Sequence, residues 1–138
     1  MRLSLDTNVF VELLRGRNPR VRERFETALA MDAPLKASLI VLYELLFGAE
    51  GHAHPGAQRD RVRLIMAQVD VEPFDARDMA AAARLRSSLK RRGLPIGPYD
   101  VLIAGQALAR GWTVVTANLR EFSRIDGLKV VDWTAKDD

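Results

Sequence analysis

LSLDTNVF, residues 3–10, is the stretch of sequence that decides the fold. Its apolar start is typical of a buried strand, Asp6-Thr7-Asn8 interrupts it, and apolar spacing of the helical type resumes at Val9. Asp6 therefore stands where a strand ends and a helix begins, which in open parallel α/β sheets is the edge where ligands bind. The alternative is that Asp6 only caps the helix, because Asp is a preferred N-cap residue.

The rest of the chain repeats this alternation of strands and helices. Apolar spacing predicts helices over 9–14, 21–29, 39–49, 57–68, 75–92, 99–110 and 118–122. Short apolar or alternating runs predict strands over 35–37, 69–72, 113–115 and 128–132. This order favours a mostly parallel sheet with helices on both faces. Because no repeat or linker divides the chain, the sequence predicts one domain over residues 1–138.

The composition is that of an ordinary globular protein, with 48% hydrophobic and 28% charged residues. The absence of Cys excludes a disulfide framework or a thiolate metal site and fits a reducing cytosol. The sequence shows no signal-peptide pattern and no apolar run of about 18 residues, so we expect a cytoplasmic protein without a membrane partner. A net charge of +3 permits a nucleic-acid partner without requiring one.

Two further carboxylates stand where acids are unusual. Glu44 lies within the almost entirely apolar run 39–47, where a carboxylate is costly to bury without a cation. Asp100 directly precedes another strongly apolar run. Each has a structural alternative: Glu44 can occupy an exposed stripe or pair with an Arg, and Asp100 can favour the helix dipole. The dipole gain is under ~1 kcal/mol at an exposed position and does not explain three such acids.

In a parallel sheet these acids can meet. Asp6 and Asp100 can lie near the carboxyl edge, and Glu44, in an early turn of its helix, can reach the same place. Converging carboxylates repel one another unless a divalent cation neutralises them. Oxygen ligands without a Cys or His cluster select Mg²⁺ or Mn²⁺ over zinc. The natural chemistry of such a site is metal-assisted hydrolysis of a phosphodiester.

Thr116 and Asn118 follow the predicted strand 113–115 and belong to the same edge. Asn118 can supply a neutral oxygen ligand or order a water, and the Thr116 hydroxyl can bond to an Asp. Both residue types are also common in turns and caps, so a structural role is an equal alternative.

Several segments together resemble the PIN domain, and more narrowly the VapC-type toxins of bacterial type II toxin–antitoxin pairs. They are DTN at 6–8, ELLFGA at 44–49, LPIGPYD at 94–100 with LIA at 102–104, TAN at 116–118 with Phe122, and IDGLKVVDW at 125–133. The resemblance implies a three-layer α/β/α fold with a central mostly parallel sheet. It also implies an endoribonuclease that depends on Mg²⁺ or Mn²⁺ and hydrolyses RNA with a metal-activated water.

The same resemblance assigns roles to individual residues. Asp6, Glu44 and Asp100 match the acidic metal ligands of the family. The fourth catalytic position is often Asp in the family, whereas Asn118 stands here, and a neutral amide attracts a cation less strongly. Glu121, one helical turn away, can compensate for the missing charge. The secondary candidates are Thr7, Thr116 and Glu121.

By resemblance, the partners are an RNA substrate, such as a transfer RNA or another structured RNA with exposed loops, and a cognate antitoxin that inserts a segment into the active site. A homodimer is also typical of the group. Two other functions stay open: a PIN-fold module that binds RNA or protein without catalysis, and a phosphatase with Asp6 as nucleophile. That phosphatase chemistry requires a second acid two residues on, where Asn8 stands.

Other residues have two interpretations each. The basic residues of the longest helix can follow an RNA backbone or simply face solvent; they are Arg84, Arg86, Lys90, Arg91 and Arg92. His52 and His54 lie in a Gly/Pro loop, where a surface role is favoured over metal binding. Trp112 and Trp133 are expected to pack in the core, although either can stack a base. The apolar helix 39–47 is either core or in part a surface for a second copy or an antitoxin.

Overall fold

Five strands and seven helices alternate along residues 1–136, the part of the chain described by this computed structural model. The strands are β1 (Leu3–Leu5), β2 (Leu35–Ser38), β3 (Asp70–Glu72), β4 (Thr113–Val115) and β5 (Val130–Val131). The helices are α1 (Thr7–Arg15), α2 (Pro19–Ala30), α3 (Leu39–Glu50), α4 (Pro55–Met66), α5 (Ala76–Arg91), α6 (Pro98–Arg110) and α7 (Leu119–Phe122). Within residues 1–136, none of the helices combines the length and the apolar character that crossing a bilayer requires.

All five strands run parallel in one sheet, in the order β3-β2-β1-β4-β5. β1 is central, with Leu3 opposite Leu35 of β2 and Thr113 of β4. The chain moves outward from β1 to β3 and then resumes at β4 on the other side, so its direction changes between β1 and β4. In parallel α/β sheets, ligands bind in the crevice at such a change of direction. The predicted α/β/α architecture is confirmed, with a sheet that is entirely parallel.

Two apolar cores cover the two faces of the sheet. Val114 and Val115 are neighbours in β4 but belong to different cores, because successive side chains of a strand point to opposite faces. Trp133 packs in the core beneath α1 to α4, and Trp112 packs in the core beneath α5 and α6. The expectation that both Trp side chains are packing residues is confirmed, since Trp112 is only 5% exposed and Trp133 only 7%.

The ends of the helices follow local signals in the sequence. Ser38 ends β2 and caps α3, and its hydroxyl accepts the Ile40 N–H at 3.1 Å. Gly111 ends α6 in the left-handed conformation that favours Gly. Asp6 does cap α1, as its Oδ1 accepts the Thr7 N–H at 2.7 Å. The helix α1 therefore begins at Thr7, earlier than its apolar spacing predicts.

α5 and α6 pack so closely that Gly105 has no room for a side chain. A Cβ at Gly105 would lie 2.5 Å from the Ala82 Cα. Asp78, with no exposed surface, joins the two helices through bonds of 3.0 and 2.9 Å from Arg110. The apolar spacing of α5, with Met79, Ala82, Leu85 and Leu89, predicts that Met79 belongs to its inner face, and this prediction is wrong, since Met79 is 53% exposed. Asp78 takes the inner position instead because it reaches Arg110 there.

Candidate active site

The carboxyl edge of β1 and β4 carries the first part of the site. Leu5 pairs with Val115, so the residues that follow them, Asp6 and Thr116, stand side by side. The Asp6 N–H donates to the Val115 carbonyl at 2.9 Å, and Thr116 Oγ1 donates to Asp6 Oδ2 at 2.8 Å. Both Asp6 and Thr116 are buried. The register of the sheet therefore positions Asp6.

α1 and α3 bring Glu44 to the same place. Thr7 is the first residue of α1, and its Oγ1 donates to Glu44 Oε1 at 2.7 Å. The same residue donates its backbone N–H to Asp6, so Thr7 links two acids. Glu44 is half-buried in the second turn of α3, which begins directly at the end of β2. The direct passage from β2 into α3 explains why Glu44 reaches the sheet edge.

Asn118 joins two further acids to this edge. Its Nδ2 donates to Glu121 Oε2 at 2.6 Å. The same nitrogen donates at 3.4 Å to Oδ2 of Asp100, a residue in the first turn of α6. Its backbone N–H donates to Thr116 Oγ1 at 3.0 Å. One continuous set of hydrogen bonds therefore connects all the predicted site residues: Asp6, Thr7, Glu44, Asp100, Thr116, Asn118 and Glu121.

Four of these residues, Asp6, Glu44, Asp100 and Glu121, form what we call the acid cluster. The pKa of Asp100 is raised to about 7, chiefly by burial and then by the charge of Asp6, contact with Glu121 and the charge of Glu44. Burial also raises the pKa of Asp6, although hydrogen bonds from two threonines act in the opposite direction. Without a cation, the folded site therefore favours the protonated, uncharged forms of Asp6 and Asp100.

Positive side chains do not compensate the acid cluster. Within residues 1–136, every ion pair made by Lys or Arg involves other acids. The Arg partner considered for Glu44 is thus absent from the described chain. In the same range, no group of three or more Asp, Glu or His side chains is arranged so that it could hold a metal ion as it stands. The donors present are carboxylate oxygens, which suit Mg²⁺ or Mn²⁺.

Comparison with known proteins identifies the family. The profile of the PIN domain matches residues 3–128. The chain belongs to the PIN domain family. The tRNA(fMet)-specific endonuclease VapC of Salmonella typhimurium is 36% identical to this PIN domain over 133 residues, 96% of this chain and 98% of that protein. The protein of the same name from Shigella flexneri is 34% identical over 97% of this chain and 99% of its own length.

Solved structures agree with this assignment. DNA-bound VapBC from Salmonella typhimurium matches this PIN domain with a TM-score of 0.89 and 36% identity, over 96% of this chain and 98% of that chain. VapBC2 from Rickettsia felis, bound to a promoter DNA fragment, matches with a TM-score of 0.90 and 28% identity, over 96% and 99%. The resemblance to VapC-type proteins is therefore confirmed.

The side-chain amide of Asn118 has an orientation that differs from that of an oxygen ligand, one of the two roles considered for it. Its amide nitrogen, not its oxygen, faces Asp100 and Glu121. The amide thus donates to two carboxylates that would otherwise only repel each other. An Asp at this position would instead add negative charge to the acid cluster.

A groove beside Glu44 carries positive charges for which the sequence offers little signal. Its cavity of about 540 Å³ is bounded by α1, α3 and α4, with Thr7 and Glu44 among its lining residues. Arg15, Arg17 and Arg61 also line it. The nearest sequence signal is the turn-forming run RGRNP at 15–19, which marks only the end of α1. The approach of Arg61 from α4 depends on the tertiary fold.

Proposed function

We propose that this PIN domain is a VapC-type endoribonuclease toxin that hydrolyses RNA phosphodiester bonds with the help of Mg²⁺ or Mn²⁺. The observation that carries the proposal is the acid cluster: its carboxyl groups share one edge of the sheet, and the pKa of Asp100 is raised there by burial and by the neighbouring acids. The names of similar proteins, endonuclease and ribonuclease VapC, support RNA as the substrate class.

In this proposal Asp6, Glu44 and Asp100 hold the cation. Asp6 is pre-positioned for that role, because each of its oxygens accepts one hydrogen bond and retains lone-pair capacity. Thr7 orients Glu44 in the same way, and Asn118 holds Asp100 beside Glu121. A bound divalent cation supplies positive charge to phosphate oxygens and activates water.

The proposed substrate is a structured RNA with an exposed loop, and the proposed inhibitor is a cognate antitoxin. Two similar proteins are named as tRNA(fMet)-specific endonucleases, and similar solved structures are of VapBC. Unstacked bases in loops are the part of an RNA that proteins most readily contact. The groove with Arg15, Arg17 and Arg61 beside Glu44 offers positive charge to a phosphate backbone.

The test is to express the wild type, Asp6→Asn and Asp100→Asn and to sequence the new RNA ends. We expect each substitution to lower cleavage more than about 100-fold while folding is retained, because ligands of the cation supply several kcal/mol to the transition state. Asp126→Asn is the matched control, since Asp126 has a side chain that is 95% exposed. Full cleavage by the Asp6→Asn/Asp100→Asn double variant would refute the proposal.

The two alternative functions have less support. A phosphatase with Asp6 as nucleophile requires a second acid two residues on, whereas Asn8 stands there. A binding module without catalysis would not need the acid cluster to take up a cation. Calorimetry distinguishes this case: we expect Mn²⁺ uptake by the wild type, and uptake that is lost in the double variant.

A further inference from the structure

A second cavity lies between the C-terminal half of α5 and the segment that leads into α6. Its volume is about 680 Å³, within the range of about 300–1,000 Å³ typical of small-ligand sites. Leu89 and Val101, both buried, form the deep part, and Pro95 and Ile96 form an apolar wall. We call this space the α5–α6 cavity.

The rim of the α5–α6 cavity is positively charged. Arg86 and Lys90 line it together with Ser87, and both cations are exposed. Neither forms an ion pair with any residue from 1 to 136. They are four residues apart on one helix, where like charges slightly destabilise the helix. Residues 79–99 contain five basic residues and no acidic one, and among these five only Arg92 forms an ion pair within residues 1–136, with Asp126.

Part of the cavity lining lies next to Asp100 of the acid cluster. Val101 follows Asp100 directly in the first turns of α6. Ile96 precedes Gly97, and a Cβ built on Gly97 would lie 3.3 Å from Asp100 Oδ2. The wall is also held in place, because Arg124 donates to the Pro95 carbonyl at 2.9 Å. Lining residues of the cavity are therefore near neighbours of Asp100, a member of the acid cluster, in the chain.

We propose that the α5–α6 cavity binds one nucleotide of a single-stranded RNA next to the scissile bond. Pro95 and Ile96 contact the face of the base, and Arg86 and Lys90 contact the flanking phosphates. Apolar side chains stack on extruded bases in enzymes that act on nucleic acids, and Lys and Arg supply most of the sequence-independent affinity. This inference rests on the proposed ribonuclease function and adds a subsite to it.

Charge complementarity favours RNA over a protein in this cavity. The rim cations Arg86 and Lys90, which form no ion pair within residues 1–136, suit a polyanion. The face that suits a protein is on α3, where Leu39, Tyr43 and Phe47 are 45%, 52% and 68% exposed. That stripe contains no basic residue. We therefore assign the two surfaces to different partners.

The probe is a 12-nucleotide, mixed-sequence RNA with a fluorescein label, and binding is measured in EDTA because the proposed hydrolysis requires a divalent cation. Fluorescence anisotropy of the full chain at several KCl concentrations gives the affinity and its salt dependence. We expect Arg86→Gln/Lys90→Gln to weaken binding about tenfold and to reduce the slope of log affinity against log salt by about 1.4, since about 0.7 is lost for each phosphate contact on a single strand.

Ser87→Trp tests the contribution of the cavity space to RNA binding separately from the contribution of its positive charge. Ser87 is an exposed rim residue, so a Trp there fills the cavity while every basic residue is kept. We expect weaker binding with an unchanged salt slope. Arg77→Gln is the matched control, because Arg77 is an exposed cation at the other end of α5. The charge-retaining variant Arg86→Lys/Lys90→Arg should restore most of the affinity, and circular dichroism verifies the fold of each variant.

Cleavage of a natural RNA pool by the same variants distinguishes a failure of the subsite proposal from a failure of the ribonuclease proposal. If the wild type cleaves RNA, and neither Ser87→Trp nor Arg86→Gln/Lys90→Gln changes binding or cleavage, the α5–α6 subsite is refuted. If Ser87→Trp alters only the oligomeric state in light scattering, the cavity is a protein interface and the proposal is wrong. If the wild type cleaves no RNA but the binding losses occur, the ribonuclease proposal fails while nucleotide binding in the cavity is supported.

Discussion

Asp100 lies half-buried beside three other carboxylates. Its ordinary pKa is 3.8, and burial together with Asp6, Glu121 and Glu44 raises the pKa to about 7. The folded protein therefore keeps the Asp100 proton to a higher pH than the unfolded chain does. In the absence of a cation, ionisation of Asp100 opposes folding.

This shift predicts how stability changes with pH. For the metal-free protein, the Asp100 contribution to the free energy of unfolding should fall as pH rises from about 4 to about 7, because the folded state binds more protons in that window. Asp100→Asn keeps an oxygen for the Asn118 bond but cannot ionise. We expect it to melt above the wild type in EDTA at pH 8, with a smaller difference at pH 4.5. A variant that melts below the wild type at pH 8 would contradict this account.

Asp6 gives a second prediction at the same scale. A cation that binds only the folded protein stabilises it by about 2.7 kcal/mol at 100 times its dissociation constant. We expect Mn²⁺ to raise the melting temperature of the wild type and to have little effect on Asp6→Asn, because Asp6 contributes a charge to the acid cluster. Asp126→Asn, at an exposed acid, should respond like the wild type. An equal rise in all three proteins would place the ion elsewhere.

Among the elements, the contact between α5 and α6 allows the sharpest test. Gly105→Ala places a Cβ 2.5 Å from backbone atoms of Ala82, so the helices must separate. We expect a loss of about 1–3 kcal/mol in the free energy of unfolding, as for other overpacked cores. Gly48 in α3 is the matched control, since nothing lies within 4 Å of its Cβ position. Gly48→Ala should instead stabilise by about 0.5–1 kcal/mol. Urea unfolding measures both, and equal effects would contradict the packing.

For the whole molecule, the order of the strands decides where the site lies. The change of direction between β1 and β4 opens the crevice into which Asp6 and Thr116 project. The Glu44 side chain reaches this edge of the sheet from α3, and the Asp100 side chain reaches it from α6. Acids that are far apart in sequence are thus brought to one edge of the sheet.

The exposed stripe on α3 predicts the assembly state. Leu39, Tyr43 and Phe47 share one face of the helix, and Tyr99 of α6 extends it through a ring contact of 5.6 Å with Tyr43. Apolar patches of this kind mark protein interfaces. We expect a homodimer through this face, and light scattering should show that Phe47→Glu shifts it toward monomer.

Leu64→Glu is the control for that prediction. Leu64 is 70% exposed on α4, close to the 68% of Phe47, and lies outside the stripe. A residue this exposed stabilises the monomer little, so neither substitution should lower the melting temperature much. A Phe47→Glu protein with the mass of the wild type, or a monomeric Leu64→Glu protein, would show that another surface is used.

Local signals in the sequence predict much of the fold, and they predict which residues lie together at the candidate site. The Ser38 cap, the Gly111 helix end and the position of Asp6 after β1 all follow from neighbouring residues. Asn118 was predicted at the site, but the direction of its amide depends on Asp100 and on the acids packed around it.

The sequence by itself determined the alternation of strands and helices and the acids at their junctions, because apolar periodicity and capping act over a few residues. Only the tertiary structure decided the strand order, the inward position of Asp78 in place of Met79, and the approach of Arg61 to the groove. These features depend on partners far away in the chain, such as Arg110 for Asp78. The pattern of residues within one segment does not predict such contacts, because they form and stabilise the protein only when separate elements pack together.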